Sequence, residues 1–260
     1  MVDAFGTGKE LAPPAAVGFI GLGQMGRPMA ALLVQAGFTI KAFDASEETR
    51  RSFEEATDTA TADSAAAACH DVAAVITMLP DGRVVRDVLC GQSGRGAMQE
   101  AMPGTCVIDM SSSSPMDTLA LEETLQPLGF PVLDAPVSGG VKRAIDGSLA
   151  IMVGGDSGII GHIRPLLDVM GGSIFLTGPL GSGHAMKALN NYVSAAGFVA
   201  AVEAVLIGRR FGLDPSVVID VLNASTGRNN STENKMKQQV LSGDFASGFA
   251  LALMSKDLHT

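Results

Sequence analysis

The sequence is short of positive charge. Eighteen Lys and Arg face 27 Asp and Glu, giving a net charge of −9, and no basic cluster occurs anywhere along the chain. Phosphate backbones are held chiefly by Lys and Arg, so nucleic acid is not an expected partner. Cysteine is scarce too. Cys69, Cys90 and Cys106 are an odd set with no C-x-x-C pair, which fits reduced, buried thiols in the cytoplasm better than a disulfide framework or a zinc site. His70, His162, His184 and His259 show no ligand spacing, so no metal site is expected. No uncharged apolar run reaches the roughly 20 residues that span a bilayer. The longest candidate, Val193 to Gly208, is interrupted by Glu203. The first residues carry Asp3, Lys9 and Glu10, so neither a secretory signal nor a transit peptide is expected. The expectation is a cytoplasmic protein without a membrane partner.

Apolar residues, by contrast, are plentiful. They make up 47% of the 260 positions against 17% charged, enough to bury a sizeable core and too apolar for wholesale disorder. The 31 glycines follow no three-residue period and read as turn residues of an α/β fold. Residues 1–16, with Gly6, Gly8, Pro13 and Pro14, read as a flexible lead. From Val17 onward, strand-like runs alternate with helical patterns: VGFI, TIKAFD, Val72–Met78, Cys106–Met110, Pro131–Leu133, Ala150–Val153 and Ile174–Leu176. Such alternation predicts βαβ units and a parallel sheet. The texture changes at GPLGSG, after which His184 to Gly212 contains no Pro and reads as one long apolar helix, roughly 40 Å in length. Asp214 and Pro215 open a further helix through Leu222, and another is expected over Glu233–Leu241. The predicted architecture is a doubly wound α/β domain over 17–180, followed by an all-α domain over 181–260, with a long helix at the junction.

Gly21-Leu22-Gly23-Gln24-Met25-Gly26 follows the first strand run and opens the first helical run. In a Rossmann-type dinucleotide loop the first glycine permits the tight turn and the second lets backbone approach a pyrophosphate. The third permits close helix–strand packing, and the helix amino end offers N–H groups to the phosphates. Asp44 ends the second strand run, where a carboxylate can bond both ribose hydroxyls of NAD and repel a 2′-phosphate. NAD is therefore the expected cofactor, with NADP possible because Arg50 and Arg51 follow on the next helix. Further along, Lys187, Asn191 and Ser194 fall at i, i+4 and i+7 on the long helix, with Asn190 flanking them. A lysine on an apolar helix commonly snorkels to solvent. Here the preceding GPLGSG loop puts it at a domain junction, where ligand sites tend to lie.

With these residues in view, the chain from about Val17 resembles the β-hydroxyacid dehydrogenases. GFIGLGQMGRPMA resembles the family's cofactor fingerprint, DAPVSGG its substrate loop, GPLGSGHAMKALNN its catalytic segment, and Lys256-Asp257-Leu258 its cofactor-capping motif. The resemblance implies that Lys187 is the acid/base and that Asn191 orients substrate. It implies that Ser138, Gly139 and Gly140 hold the substrate carboxylate. On the cofactor side it adds Leu79, Pro80, Ser112 and Lys256 to the glycine loop and Asp44. Ser112 stands where many members carry Thr, which keeps the hydroxyl. The family's closing helices are expected after Lys256-Asp257-Leu258, yet the sequence stops at Thr260, so the helical domain reads as truncated.

The expected activity is hydride transfer between NAD and a small β-hydroxyacid such as 3-hydroxyisobutyrate. The neighbouring expectation is a reductase of tartronate semialdehyde or another short semialdehyde. Related 6-phosphogluconate dehydrogenases place His where this chain has Asn190, which disfavours oxidative decarboxylation. A non-catalytic nucleotide-binding scaffold would be expected to have lost Lys187. Lys142 and Arg143, just after the substrate loop, read as a solvated face. The apolar long helix suggests a homo-oligomer.

Overall fold

A computed structural model describes residues 10–91 and 96–245. The chain divides into two compact units, Met1–Lys187 and Ala188–Thr260.

The first unit holds eight strands in one sheet. They are β1 (Ala16–Ile20), β2 (Thr39–Phe43), β3 (Ala74–Thr77), β4 (Cys106–Asp109), β5 (Val132–Asp134), β6 (Val137–Ser138), β7 (Leu149–Gly154) and β8 (Gly171–Gly178). The order is β2-β1-β3-β4-β5-β7-β6, with β8 also on β7. β1 to β5 are parallel, β7 runs against β5 and β6, and β8 runs with β7. Between the strands lie α1 (Gly26–Gln35), α2 (Glu47–Thr57), α3 (Ala65–Cys69), α4 (Gly82–Cys90), α5 (Pro115–Leu125), α6 (Gly140–Ile145) and α7 (Ser157–Met170). The strands are apolar on both faces because helices cover both, and their side chains alternate between two cores. Val17 and Phe19, Ala74 and Ile76, Cys106 and Ile108, and Leu133 belong to the core that α1 and α7 complete. Ile20, Val75, Val107 and Val132 belong to the other, completed by Ala68 and Cys69 of α3, Val85 and Leu89 of α4, and Leu121 and Leu125 of α5. This is the predicted doubly wound arrangement. Its order reverses between β1 and β3, where open α/β sheets bind ligands at their carboxyl edge.

α8 spans Ser182–Arg210, against the expected His184–Gly212, and is carried on by both units. In the second unit it is joined by α9 (Pro215–Ala224) and α10 (Asn230–Asn234). Ala201, Val205, Ile219 and Met236 form a small buried core there. The helix predicted over Glu233–Leu241 is not continuous. α10 ends at Asn234, Lys235 leaves helical geometry at φ −125°, and a π-helix takes over at Met236–Leu241. An Asn229–Thr232 capping box starts α10 three residues earlier than the apolar pattern suggests. By length and mean hydropathy (1.5) α8 is apolar enough to cross a membrane. It also carries Lys187, Asn190, Asn191 and Glu203, which a bilayer would accept only at a penalty.

Candidate active site

The glycine loop joins β1 to α1 at the carboxyl edge. Gly21 sits at φ 103° with the Met78 carbonyl against its Cα, and a Cβ at Gly26 would strike the Gly21 carbonyl. Both glycines are therefore required by the protein itself. Gly23 is not. It is exposed, its φ lies outside the left-handed region, and among the described residues nothing beyond its chain neighbours stands within 4 Å of where its Cβ would be. A glycine that packing does not demand leaves bare backbone open to a ligand, which suits close approach of a pyrophosphate. The N-cap of α1, Met25, also makes no side-chain capping bond. In contrast, α2, α3, α4, α5, α7, α9 and α10 are each capped by a Ser, Asp or Asn side chain. The amino end of α1 thus presents its first-turn N–H groups and positive dipole end to the exposed side of the loop, where Gly23 and Gln24 lie.

Leu22 plays a different part from its neighbours. Its side chain is buried in the core, and its N–H donates to Asp44 Oδ2 at 2.8 Å. Ser46 N–H donates to Asp44 Oδ1, also at 2.8 Å. Two backbone donors thus fix this half-buried carboxylate at the end of β2 before any ligand arrives. Arg50 donates to the Asp44 carbonyl at 2.6 Å and lies over the Phe43 ring at 5.5 Å. These residues fit a dinucleotide whose ribose carries free hydroxyls.

Beyond β1 the carboxyl edge is polar and buried. Register pairs Thr77 of β3 with Asp109 of β4, and Asp109 with Asp134 of β5. The Thr77 hydroxyl donates to Asp109 Oδ1 at 2.9 Å, Ser111 N–H to the same oxygen at 3.0 Å, and the Ser113 hydroxyl to Oδ2 at 2.6 Å. Asp134 accepts from Gly181 N–H and His184 N–H, each at 2.8 Å. The cap of α8 is therefore supplied by β5, and its charge suits the positive end of the helix dipole. Gly183 is small because a Cβ there would lie 2.8 Å from Asp134 Oδ2. The His184 ring is fully buried. Nε2–H donates to the Ser111 carbonyl at 3.0 Å, and Nδ1 pairs with the Thr118 hydroxyl at 2.7 Å. Asp134 Oδ2 and Asp109 Oδ2 lie 3.6 and 3.9 Å from its two nitrogens.

Leu79 N–H donates to Ser111 Oγ at 2.9 Å, which brings Leu79 and exposed Pro80 beside the segment of half-buried Ser112. Ser138 ends β6, and Gly139 and Gly140 follow exposed at φ 138° and φ 69°. The stem of Arg143 folds against Gly139. Lys187 is half-buried on the second turn of α8, and Asn191, also half-buried, follows one turn later in the second unit, where its Oδ1 accepts from Asn190 at 3.3 Å. Lys256 lies outside the described residues. Among the described residues no cluster of His, Cys, Asp and Glu can hold a metal ion. Sequence reasoning assigns no individual role to Asp109, Ser111, Thr118, Asp134 or His184, although Asp134 and His184 fall within two of the quoted motifs. The His184 partners stand 50 to 73 residues upstream, so no local spacing links them to the histidine.

Residues 16–178 match the NAD binding domain of 6-phosphogluconate dehydrogenase, and residues 181–260 match the NAD-binding model of NADP-dependent 3-hydroxyisobutyrate dehydrogenase. The 2-(hydroxymethyl)glutarate dehydrogenase of Eubacterium barkeri is 39% identical over 93% of this chain and 79% of its own length. The 3-sulfolactaldehyde reductase of Escherichia coli K12 is 36% identical over 94% of this chain and 81% of its own. A solved structure of Mycobacterium tuberculosis 3-hydroxyisobutyrate dehydrogenase with L-serine superposes with a TM-score of 0.85 at 36% identity, covering 94% of this chain and 84% of that one.

Proposed function

The chain belongs to the β-hydroxyacid dehydrogenase family, and from that membership we propose that it moves a hydride between NAD and a small β-hydroxyacid of the 3-hydroxyisobutyrate type. The observation that carries this reading is the docking of α8. Asp134 and His184 seat its first turn on the same carboxyl edge that carries the glycine loop, and Lys187 follows three residues later.

NAD, when bound, supplies the hydride acceptor of the oxidation. The chain supplies the rest. Gly23, Gln24, Met25 and the amino end of α1 hold the pyrophosphate, with Gly21, Leu22 and Gly26 shaping the loop. Asp44 bonds the ribose hydroxyls, and Leu79, Pro80, Ser112 and Lys256 line the remaining cofactor surface. Ser138 with the Gly139 and Gly140 backbone holds the substrate carboxylate, a small-residue segment acting as an anion nest. Lys187 Nζ takes the hydroxyl proton as an amine during oxidation and returns it as an ammonium during reduction. Asn191, one turn along, orients the hydroxyl without ionising.

A compact acid of three to five carbons with one carboxylate suits the short Ser138–Gly140 segment. Semialdehyde reduction, including that of tartronate semialdehyde, is the same chemistry run backwards. We also infer a cytoplasmic homo-oligomer. Three free, buried cysteines support the compartment, and exposed Tyr192, Val193, Leu206 and Ile207 on α8 support a second copy. The test is a panel with NAD: 3-hydroxyisobutyrate, 3-hydroxypropionate, 2-(hydroxymethyl)glutarate and 6-phosphogluconate, with tartronate semialdehyde assayed against NADH. The highest kcat/KM is expected on 3-hydroxyisobutyrate or 3-hydroxypropionate. Preference for the phosphorylated sugar acid would overturn the reading.

A further inference from the structure

The reaction just described gives His184 no chemical step, yet its ring is fully enclosed and hydrogen-bonded at both nitrogens. Ser111, its partner, is itself fully engaged. Its N–H donates to Asp109, its hydroxyl oxygen accepts from Leu79 N–H, and its carbonyl accepts from His184. A single bond from the ring thus ties the first turn of α8 to a residue that already joins the ends of β3 and β4. On one side of that bond, three residues along α8, is Lys187. On the other are Ser112, next in the chain, and Leu79, held by Ser111. The backbone bond from His184 N–H to Asp134 fixes the helix along its axis, and a ring bond to Ser111 fixes its distance from the cofactor wall.

We propose that His184 is a positioning residue, setting the distance between the proton carrier on α8 and the nicotinamide-facing backbone at Ser111–Ser112 and Leu79. The proposal rests on the reading of Lys187 as that carrier. Proton and hydride leave the same carbinol, so the amine and the cofactor wall have to meet the substrate from fixed positions. Displacement of about 1 Å in such a constellation lowers turnover roughly a hundredfold. The glycine loop and Asp44, which hold the other end of the dinucleotide in this reading, form no hydrogen bond with the ring, so cofactor affinity should hardly respond. A glutamine reproduces the two functions the ring performs: its amide nitrogen donates to the Ser111 carbonyl and its amide oxygen faces the Thr118 hydroxyl.

The test compares His184→Leu, His184→Gln and Lys187→Ala as full-length protein, scoring turnover per folded molecule, NADH affinity by fluorescence, and the primary deuterium isotope effect on kcat. Amide exchange of residues 111–113 and 182–187 is followed without cofactor. His184→Leu should lower kcat by about 10- to 100-fold, raise the isotope effect, leave the NADH Kd within about twofold, and speed exchange in both segments. His184→Gln should recover most of the turnover and the slow exchange. A leucine variant with normal kcat and a lowered Tm would overturn the proposal, as would a glutamine variant no better than leucine. Should leucine prevent folding, Thr118→Val removes the Nδ1 partner, together with one helix-internal bond from the Thr118 hydroxyl to the Ser114 carbonyl. A severalfold loss of kcat at unchanged NADH Kd supports the proposal, and normal kcat refutes it. If Lys187→Ala turned over normally, the reading of Lys187 would fail first, and the proposal with it. Loss in Lys187→Ala without loss in His184→Leu refutes the positioning role alone.

Discussion

Gly23→Ala should separate folding from cofactor binding within one loop. Among the described residues, no atom beyond the glycine's own chain neighbours lies within 4 Å of the added methyl, and the backbone there is outside the left-handed region, so the folded chain accepts alanine without shifting. Alanine also restricts the unfolded chain, which stabilises a compatible site by about 0.4–1 kcal/mol. The urea midpoint should therefore hold or rise slightly. In the proposed mode of binding, the same methyl stands where the pyrophosphate approaches the backbone. Losing even one N–H bond to a charged oxygen costs about 1.5–3 kcal/mol, or roughly 10- to 150-fold in Kd. Gly21→Ala is the contrast: at φ 103° and against the Met78 carbonyl it adds about 1–2 kcal/mol of backbone strain before any clash. Its urea midpoint should fall with no cofactor present. The assays are urea unfolding of the cofactor-free protein and an NADH fluorescence titration. A stable Gly23→Ala variant that binds NADH within twofold of the parent would refute the reasoning, because the pyrophosphate would then not cross the loop at Gly23.

Lys187→Ala should lower kcat by about a hundredfold to ten-thousandfold at near-constant NADH Kd, and Lys187→Arg should fail almost as badly because a guanidinium stays protonated. Near-normal turnover in a kcat measurement would make the lysine a surface charge. Asp44→Ala should narrow the preference for NAD over NADP in kcat/KM. It should also weaken NADH binding, because the Leu22 and Ser46 N–H groups lose their acceptor; an unchanged preference would remove Asp44 from the ribose site. Burial pushes the Cys69 and Cys106 thiols up to about 12 from an ordinary 9.0. The unfolded chain ionises first, so their stability contribution is intact below pH 9 and is lost as pH rises towards 12. Urea midpoints should fall across that window, less so in Cys69→Ala, and neither thiol should react with a disulfide reagent at pH ~8 until the chain unfolds.

Local signals made most of this fold legible. The β1 and β2 runs and the glycine loop read directly because each is a contiguous segment of the right period. β6 did not. It is two residues, Val137–Ser138, that become a strand only by pairing with β7. The reversed direction of β7 is equally silent, since an apolar run looks the same either way. Over Glu233–Leu241 the apolar spacing predicts one helix, and the break at Lys235 comes from backbone geometry that spacing does not encode. At the site, the open backbone at Gly23 follows from its motif, whereas the engagement of the Leu22 N–H by Asp44 depends on a carboxylate 22 residues away. The histidines look like scattered singles, and His184 acquires partners only once three distant segments meet.

The row Thr77–Asp109–Asp134 is set by strand register. One residue inserted within β4 would turn every later side chain of that strand to the opposite face. Asp109 would leave the row just as Val107 and Ile108 exchanged cores. A residue added in the loop after Asp109 would disturb neither. Descendants of this sheet are thus free to lengthen and shorten at its edges, while inside the strands they can change only by substitution. The reading frame of the fold is kept by three positions, one of which, Asp134, also accepts from the first backbone groups of α8.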